Sequence, residues 1–389
     1  MEKLLGFFQE IIYCILPFTV MYNPLKLIFR DSDHYLGPLI DGHECPASAL
    51  KLLGLHLIVR NVGIAISTLS INSVMIPDKY RAAIKLIQDN FPQINIEEYY
   101  NDCTDRHDSD ESKSNSARDS NSNNNNITLL NNLGAPTYRI KFTETENSFE
   151  VPLNAVLHCP NPLYSNMTNI LVDTIVYPWD FLNIVHKTLN EEITDTRVSK
   201  NASIAKTSII QGPCIIEDDV VIDDFCKIKG PTYIGKGSFI GMSSLIRQCM
   251  FSCKTRIGFN CEVGKSYFAG DDRIAHQNVI LDSIIGNNVW FGGYSGTANV
   301  LLNRKNVKYD IGDGAQLIDT GMDHFGAVVG NNCAVGASVI ILPGRMIPSS
   351  TVIQAGTVVG KKLSSEEIYL GKTDRVPLQP QLRANTTIL

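Results

Sequence analysis

Apolar and polar positions divide the chain into two regimes. From Ile204 an isoleucine recurs at every sixth residue, through Ile210, Ile216, Ile222, Ile228, Ile234 and Ile240 to Ile246. Two residues before each stands a smaller side chain: Ala202, Ser208, Cys214, Val220, Cys226, Thr232, Ser238 and Ser244. A period of six fits neither the helix nor the simple alternation of an open strand. It marks a parallel β-helix, in which three hexapeptides make one triangular coil. Each isoleucine then points into a narrow prism, and the small residue lets the chain turn the prism's corner. The register is lost near Phe251 and returns at Ile257-Gly258, Val263-Gly264, Ile285-Gly286 and Phe291-Gly292, then from Val329-Gly330 through Val335-Gly336, Ile341, Ile347 and Ile353 to Val359-Gly360. The glycines are expected to supply the backbone freedom that tight corners need. Roughly eight or nine stacked coils follow from this pattern.

Ahead of the repeat the pattern is mixed. SINSVMIP (70–77) reads as an apolar strand, and DKYRAAIKLIQDNFP (78–92) as an amphipathic helix with Asp78 as its N-cap and Pro92 past its end. YPWDFLNIVHKTLNEEI (177–193) reads as a helix leading into the repeat. Residues 103–127 carry almost no apolar side chains and read as a flexible insertion loop. The apolar opening, 1–22, is interrupted by Glu2, Gln9 and Glu10 and has no basic leader or small-residue cleavage site. It is expected to be a buried helix or strand rather than a membrane segment. The expected organisation is an α/β, Rossmann-like domain over 1–195, a β-helix over 196–362 and a tail over 363–389.

Composition changes this picture little. The 389 residues carry a net charge of −6, which does not favour nucleic acid. The 10 cysteines form no CxxC motif and no Cys/His spacing that would close a zinc site. They read as reduced, mostly buried thiols of a cytoplasmic protein, with Cys214, Cys226 and Cys333 on small-residue positions of the repeat. Asp218, Asp219, Asp223 and Asp224 read as a solvated acidic face, because no Gly-rich nonapeptide accompanies them.

With these motifs, the repeat domain resembles the left-handed parallel β-helix of hexapeptide acyltransferases, which implies trimers with active sites between neighbouring prisms. A closer resemblance lies in 247–305. The segment CEVGKSYFAGDDRIAHQNVILDSIIGNNVWFGGYSGTANVLLNRK (261–305) is similar to the acetyltransferase half of bifunctional sugar-1-phosphate nucleotidylyltransferases, especially the archaeal type. The resemblance implies an acetyl-CoA-dependent N-acetyltransferase of nucleotide-sugar biosynthesis, acting on a glucosamine-1-phosphate-like amino sugar. It implies His276 as general base, a role suited to an imidazole that is neutral near pH 7. It further implies Arg247 and Lys305 on the sugar phosphate, Asn299 at the reacting centre, and Lys265 one residue from another phosphate-side lysine. Ala337 and Ala355 match places where backbone meets acetyl-CoA. Read without the resemblance, His276 is a solvated or hydrogen-bonded corner residue, and Arg247 and Lys305 are surface charges.

Two positions depart from the family pattern: Val279 replaces a tyrosine and Trp290 a sugar-binding asparagine. An insertion, 307–330, resembles the longer archaeal loop and carries His324, a second candidate base. The N-terminal half is similar, more faintly, to the family's nucleotidyltransferase domain, through 54–92 and 177–189. Yet no Gly-rich phosphate loop stands ahead of Gly54, and Asp41 and Asp173 sit in no metal motif. That half is expected to be a degenerate, truncated scaffold. Mg²⁺ enters only if nucleotidyl transfer survives. Two alternatives stand beside the acetyltransferase: a nucleotidylyltransferase with an atypical site, and a non-catalytic subunit paired with a paralogue.

Overall fold

The computed structural model describes residues 26–30, 49–69, 71–99, 127–130, 136–141, 148–158, 169–310, 317–360, 363, 367–370 and 374–377. The apolar opening, Asp41 and the polar stretch up to Asn126 lie outside the described residues. The chain divides into two compact units. Ile175–Leu389 belongs to the second, together with 34–43 and 49–56, and the remainder forms the first.

In the first unit a parallel sheet runs in the order 95–99, 73–77, 26–30, 148–152. Helix α1 (Leu57–Leu69) and helix α2 (Arg81–Asn90) accompany it. The strand expected over 70–77 is Ser73–Pro77. Asp78 does not cap α2. The amide of Tyr80 bonds to the Pro77 carbonyl at 3.2 Å, placing Asp78 in the preceding turn, and Tyr80 takes the N-cap without a side-chain bond. A second, antiparallel sheet orders 127–130, 136–141, 169–174 and 155–158. Ile127, read as the end of the polar loop, opens its first strand.

The second unit is a three-sided parallel β-helix. Its first face begins with the strand 197–198, its second with 203–204 and its third with 209–211, and each face then takes one strand per coil for eight coils. The second face gains two strands from the expected tail, Glu367–Leu370 parallel to its last coil and Asp374–Pro377 antiparallel to that. Most strands send one apolar side chain inward, where it stacks on its register partner: Ile216 on Ile234, Ile222 on Ile240, Ile228 on Ile246. These columns make one continuous core from Cys214 to Tyr369, against which Ile204 and Ile210 pack partly buried.

The register is not lost at Phe251. Phe251 pairs with Ile234 and Phe268 with Phe251, so these coils advance by 17 residues rather than 18. The missing residue comes from the corner between the third and first faces, and the two phenyl rings, 5.0 Å apart edge to face, fill the prism. The corner chemistry also differs from expectation. Gly241 and Gly258 do not hold left-handed backbone; the residues that do are Ser243, Asn260 and Gln277, with φ of 61°, 53° and 54°. The glycines are required by crowding, because a Cβ on Gly241 or Gly258 would lie 2.8 Å from the next coil's backbone. The small residues, in turn, form a polar ladder. Ser244 Oγ donates to the Gly258 carbonyl at 2.9 Å, Cys261 Sγ to that of Ala275 at 3.0 Å, and Ser295 Oγ to that of Gly336 at 2.8 Å. They satisfy corner carbonyls that the strand ladder leaves unpaired.

Helix α3 (Pro178–Glu192) lies on the first face, where Phe181 meets Tyr267 edge to face at 4.8 Å. Trp179 at its start packs on Tyr309 and Phe325 of the insertion. The hairpin 51–56 covers the same face, with the Leu53 amide on Met250 Sδ at 3.3 Å. Tyr233, Met250, Tyr267 and Ile284, which point outward there, are therefore buried. The acidic residues read as a solvated face are tied across coils: Asp218 to Ser199, Asp224 to Thr207 at 2.6 Å, and Asp219 to Lys236 at 3.5 Å.

Removing one link of an inward column leaves a void that the neighbouring coils cannot close. Ile240→Ala is expected to cost about 2–5 kcal/mol in chemical unfolding. Lys254→Ala, which breaks only an exposed pair at 3.9 Å, is expected to change stability by less than about 1 kcal/mol.

Candidate functional site

Coil stacking turns every corner into a straight column. The edge where the second face passes into the third, here the leading edge, carries Met242, Phe259, His276, Gly293 and Ala337 in successive coils. Backbone bonds join them: Asn260 N to Met242 O, Gln277 N to Phe259 O, Tyr294 N to His276 O, Ser338 N to Gly293 O and Gly356 N to Ala337 O. Ala355 follows in the next coil, its amide pressed against the place a Gly336 Cβ would fill. His276 and the two alanines expected at acetyl-CoA thus share one edge, with Gly293 between. His276 is exposed, and its imidazole has no hydrogen-bond partner among the described residues.

The remaining candidates gather at the trailing edge, where the third face passes into the first. Arg247 ends the strand Leu245–Arg247 and lies over Gly264 of the next coil. A Cβ on Gly264 would meet the Arg247 Cζ at 2.8 Å. The guanidinium donates from Nη2 and Nε to Glu262 Oε1, at 2.9 and 3.3 Å. Lys265 is next, its amide on the Arg247 carbonyl and its side chain exposed. Asp282 follows one coil on and accepts from Asn299 Nδ2 at 2.6 Å. Lys305 is exposed just ahead of the insertion, its amide on Asn303 Oδ1 at 3.1 Å. His324 Nδ1 donates to Asp323 Oδ1 at 2.9 Å, and this bond, more than the nearby Lys265, holds the Asp323 carboxyl below the usual carboxylate range.

Between the two edges runs the third face, three residues or roughly 10 Å wide. Leu245, Glu262, Val279 and Gly296 form one register row on it. Val279, at 43 % exposure, puts an isopropyl group at the centre of this floor. Trp290 is elsewhere, half-buried on the second face in register with Arg273 and Ala334.

Sequence reasoning did not single out Glu262 or His186. Glu262 was within reach of the periodicity, since a 17-residue coil sets it beside Leu245, two positions from Arg247. His186, on α3, carries no coil signal. Its Nε2–H donates to the Lys265 carbonyl at 3.1 Å, and burial lowers its pKa from the ordinary value despite that bond. Among the described residues no three His, Cys, Asp or Glu side chains converge as metal ligands. Asp173 instead pairs with His158 Nε2 at 2.9 Å, both buried. No helix among the described residues is long and apolar enough to cross a membrane.

Residues 213–248 match the family described as bacterial transferase hexapeptide (six repeats), and the three-sided parallel coils are consistent with its left-handed β-helix. The bifunctional sugar-1-phosphate nucleotidylyltransferase/acetyltransferase of Sulfurisphaera tokodaii is 32% identical over 195 residues, 49% of this chain and 47% of that protein. The bifunctional protein GlmU of Methanococcus vannielii is 30% identical over 215 residues, 55% of this chain and 50% of that protein. The chain thus spans about half the length of these relatives. Among solved structures, the UDP-N-acetylglucosamine acyltransferase from Campylobacter jejuni is 12% identical, with a TM-score of 0.27 over 50% of this chain and 78% of that one.

In the fold, burial holds the pKa of His186 below the roughly 6.5 of an unfolded histidine. Below that pH the unfolded chain takes up a proton that the folded one resists, so His186 costs stability as pH falls toward its lowered pKa. Thermal unfolding at pH 7.5 and 5.5 is expected to show a smaller acid-side loss in His186→Gln than in the parent.

Proposed function

We propose that the third face is the floor of an acetyl-transfer site. Acetyl-CoA runs along the leading edge, where Gly293, Ala337 and Ala355 let a thin chain approach the backbone. An amino sugar carrying a phosphate at C1 lies across the face, its phosphate toward Arg247, Lys265 and Lys305 and its amine toward His276. The substrate ammonium first releases one proton to solvent. The freed amine attacks the thioester carbonyl while His276 takes a second proton from its nitrogen, the tetrahedral oxyanion is stabilised by backbone amides, and collapse forms the amide as the C–S bond breaks. The imidazolium returns its proton to the departing thiolate of CoA. The observation that carries this reading is the separation of an unpartnered histidine in line with small residues on one edge from the cations on the other, across a face about as wide as a sugar phosphate.

An apolar stripe supports a homotrimer. Phe225, Met242, Phe259 and Tyr294 on the leading edge and Ile209, Val279, Ile340 and Val358 on the third face are all more than a third exposed. Exposed apolar side chains concentrated on one side of the prism suit a contact surface, and three prisms meeting there would enclose the reaction floor. The buried thiols fit a cytoplasmic setting. One observation favours a second reading, a non-catalytic subunit paired with a paralogue: Val279 offers the sugar ring no hydrogen bond where the resembling family has a tyrosine.

Thiol release from acetyl-CoA with amino-sugar 1-phosphates is expected for the parent protein, and His276→Ala is expected to lower kcat about 10²–10⁴-fold. Arg247→Ala is expected to raise KM for the phosphorylated acceptor while leaving an unphosphorylated amino sugar unaffected. Equal release by His276→Ala and parent would remove His276 from the chemistry, and no release with any acceptor would favour the non-catalytic reading.

A further inference from the structure

The two ends of the solenoid are finished differently. After the last coil the strand Glu367–Leu370 joins the second face, and Leu363 and Tyr369 are buried over the core. The first coil, 197–211, has no such cover among the described residues. Val198 faces the prism in register with Ile216 yet is 44 % exposed, and Ile204 and Ile210 are only partly buried. Their column partners in the second coil, Ile216, Ile222 and Ile228, are at most 1 % exposed. A solenoid normally ends in a cap with a polar outer face; here three branched apolar side chains form the end.

The backbone is open there too. The amides of Ser199, Ser203, Ala205 and Ile209 donate to carbonyls of the second coil. Along a strand successive N–H and C=O groups point to opposite sides, so those of Val198, Ile204 and Ile210 point away from the solenoid. Water satisfies these edges but leaves the side chains wet. A β edge with an apolar centre of its own satisfies both.

A second copy of this chain has that surface. The chain circles the triangle in one sense, so a copy turned over by a two-fold axis presents strands running the opposite way, and all three edges pair antiparallel. With the axis through the corner at Lys206, the strand 197–198 meets its own equivalent and 203–204 meets 209–211. The rim charges suit the same axis. Exposed Lys200 stands at one of the two remaining corners. At the other, α3 ends with Glu191 and Glu192 and is followed by exposed Asp195, which holds Arg197 Nε at 3.7 Å. The axis lays Lys200 of each copy over this acidic corner of the other. Lys206 meets its equivalent at the rim, where solvent screens the pair.

We propose that the first-coil end of the solenoid is an isologous interface with a second copy of this chain, formed by antiparallel strand pairing around the apolar centre of Val198, Ile204 and Ile210. It goes beyond the acetyl-transfer reading and does not rest on it. One prism end is small against the roughly 800 Å² per partner of a standard interface, so the pairing strengthens with concentration. Sedimentation equilibrium of the full chain over a concentration series tests it. The parent is expected to reach an even number of copies at the upper end: two, or six where the leading edges also form trimers. Val198→Asp puts a carboxylate at an already exposed position and is expected to halve that number. Lys200→Glu, which sets like charges together twice across the axis, does the same should the first variant fail to fold. A parent of one or three copies at every concentration, or a folded variant with the parent's count, overturns the proposal. Two copies falling to one supports the end contact and sinks the trimer, whereas six falling to three supports both.

Discussion

One contact repeats through the second unit and everything else is hung on it: a single branched or aromatic side chain per short strand, resting on its counterpart one coil away. Two- and three-residue strands have too few hydrogen bonds to persist alone, so each coil exists only because its inward side chains are covered by the next. This explains what varies and what does not. Coil length moves between 17 and 18 residues because an outer corner gives up a residue without disturbing the column. The glycines at Gly241 and Gly258 are fixed by the closeness of the stacked backbones, whereas the left-handed turns nearby are taken by serine, asparagine and glutamine.

The same stacking gives the site its geometry. Residues far apart in sequence become neighbours at the coil spacing, so His276, Gly293, Ala337 and Ala355 line one edge and Arg247, Lys265 and Asp282 the other. The positions are as rigid as the core behind them. Charge at the trailing edge is tempered: Glu262 already engages Arg247, and Asp282 engages Asn299. On the proposed reading, an incoming phosphate would share the guanidinium with a carboxylate rather than meet a bare cation. Such a half-exposed ion pair holds Arg247 in place at a net worth of about 1 kcal/mol or less, little enough for a doubly charged ligand to compete.

The solenoid was legible because its signal is one-dimensional: the isoleucine period states which side chains face inward, and inward is the only packing that a narrow prism allows. The step at Phe251 was not, since a five-residue interval looks like a lost repeat until the coils are stacked. Asp78 looked like a cap because caps are local, but the turn from Pro77 to Tyr80 starts the helix later. The polar ladder of Ser244, Cys261 and Ser295 was visible only as smallness, for which hydroxyl, thiol and methyl are alike on paper. His186 was out of reach, because its contact depends on where α3 settles on the first face, and a helix docked on a sheet leaves no period in the sequence. Trp290, which the resemblance aligns with a sugar-binding asparagine, stands by register on the second face.

Diffraction from crystals grown with CoA and an amino-sugar phosphate tests the central claim most directly. The account predicts the pantetheine arm along the leading edge beside Gly293, Ala337 and Ala355, and the phosphate beyond Val279 at Arg247 and Lys265. Density for CoA on the second face, or a phosphate away from Arg247, would contradict it.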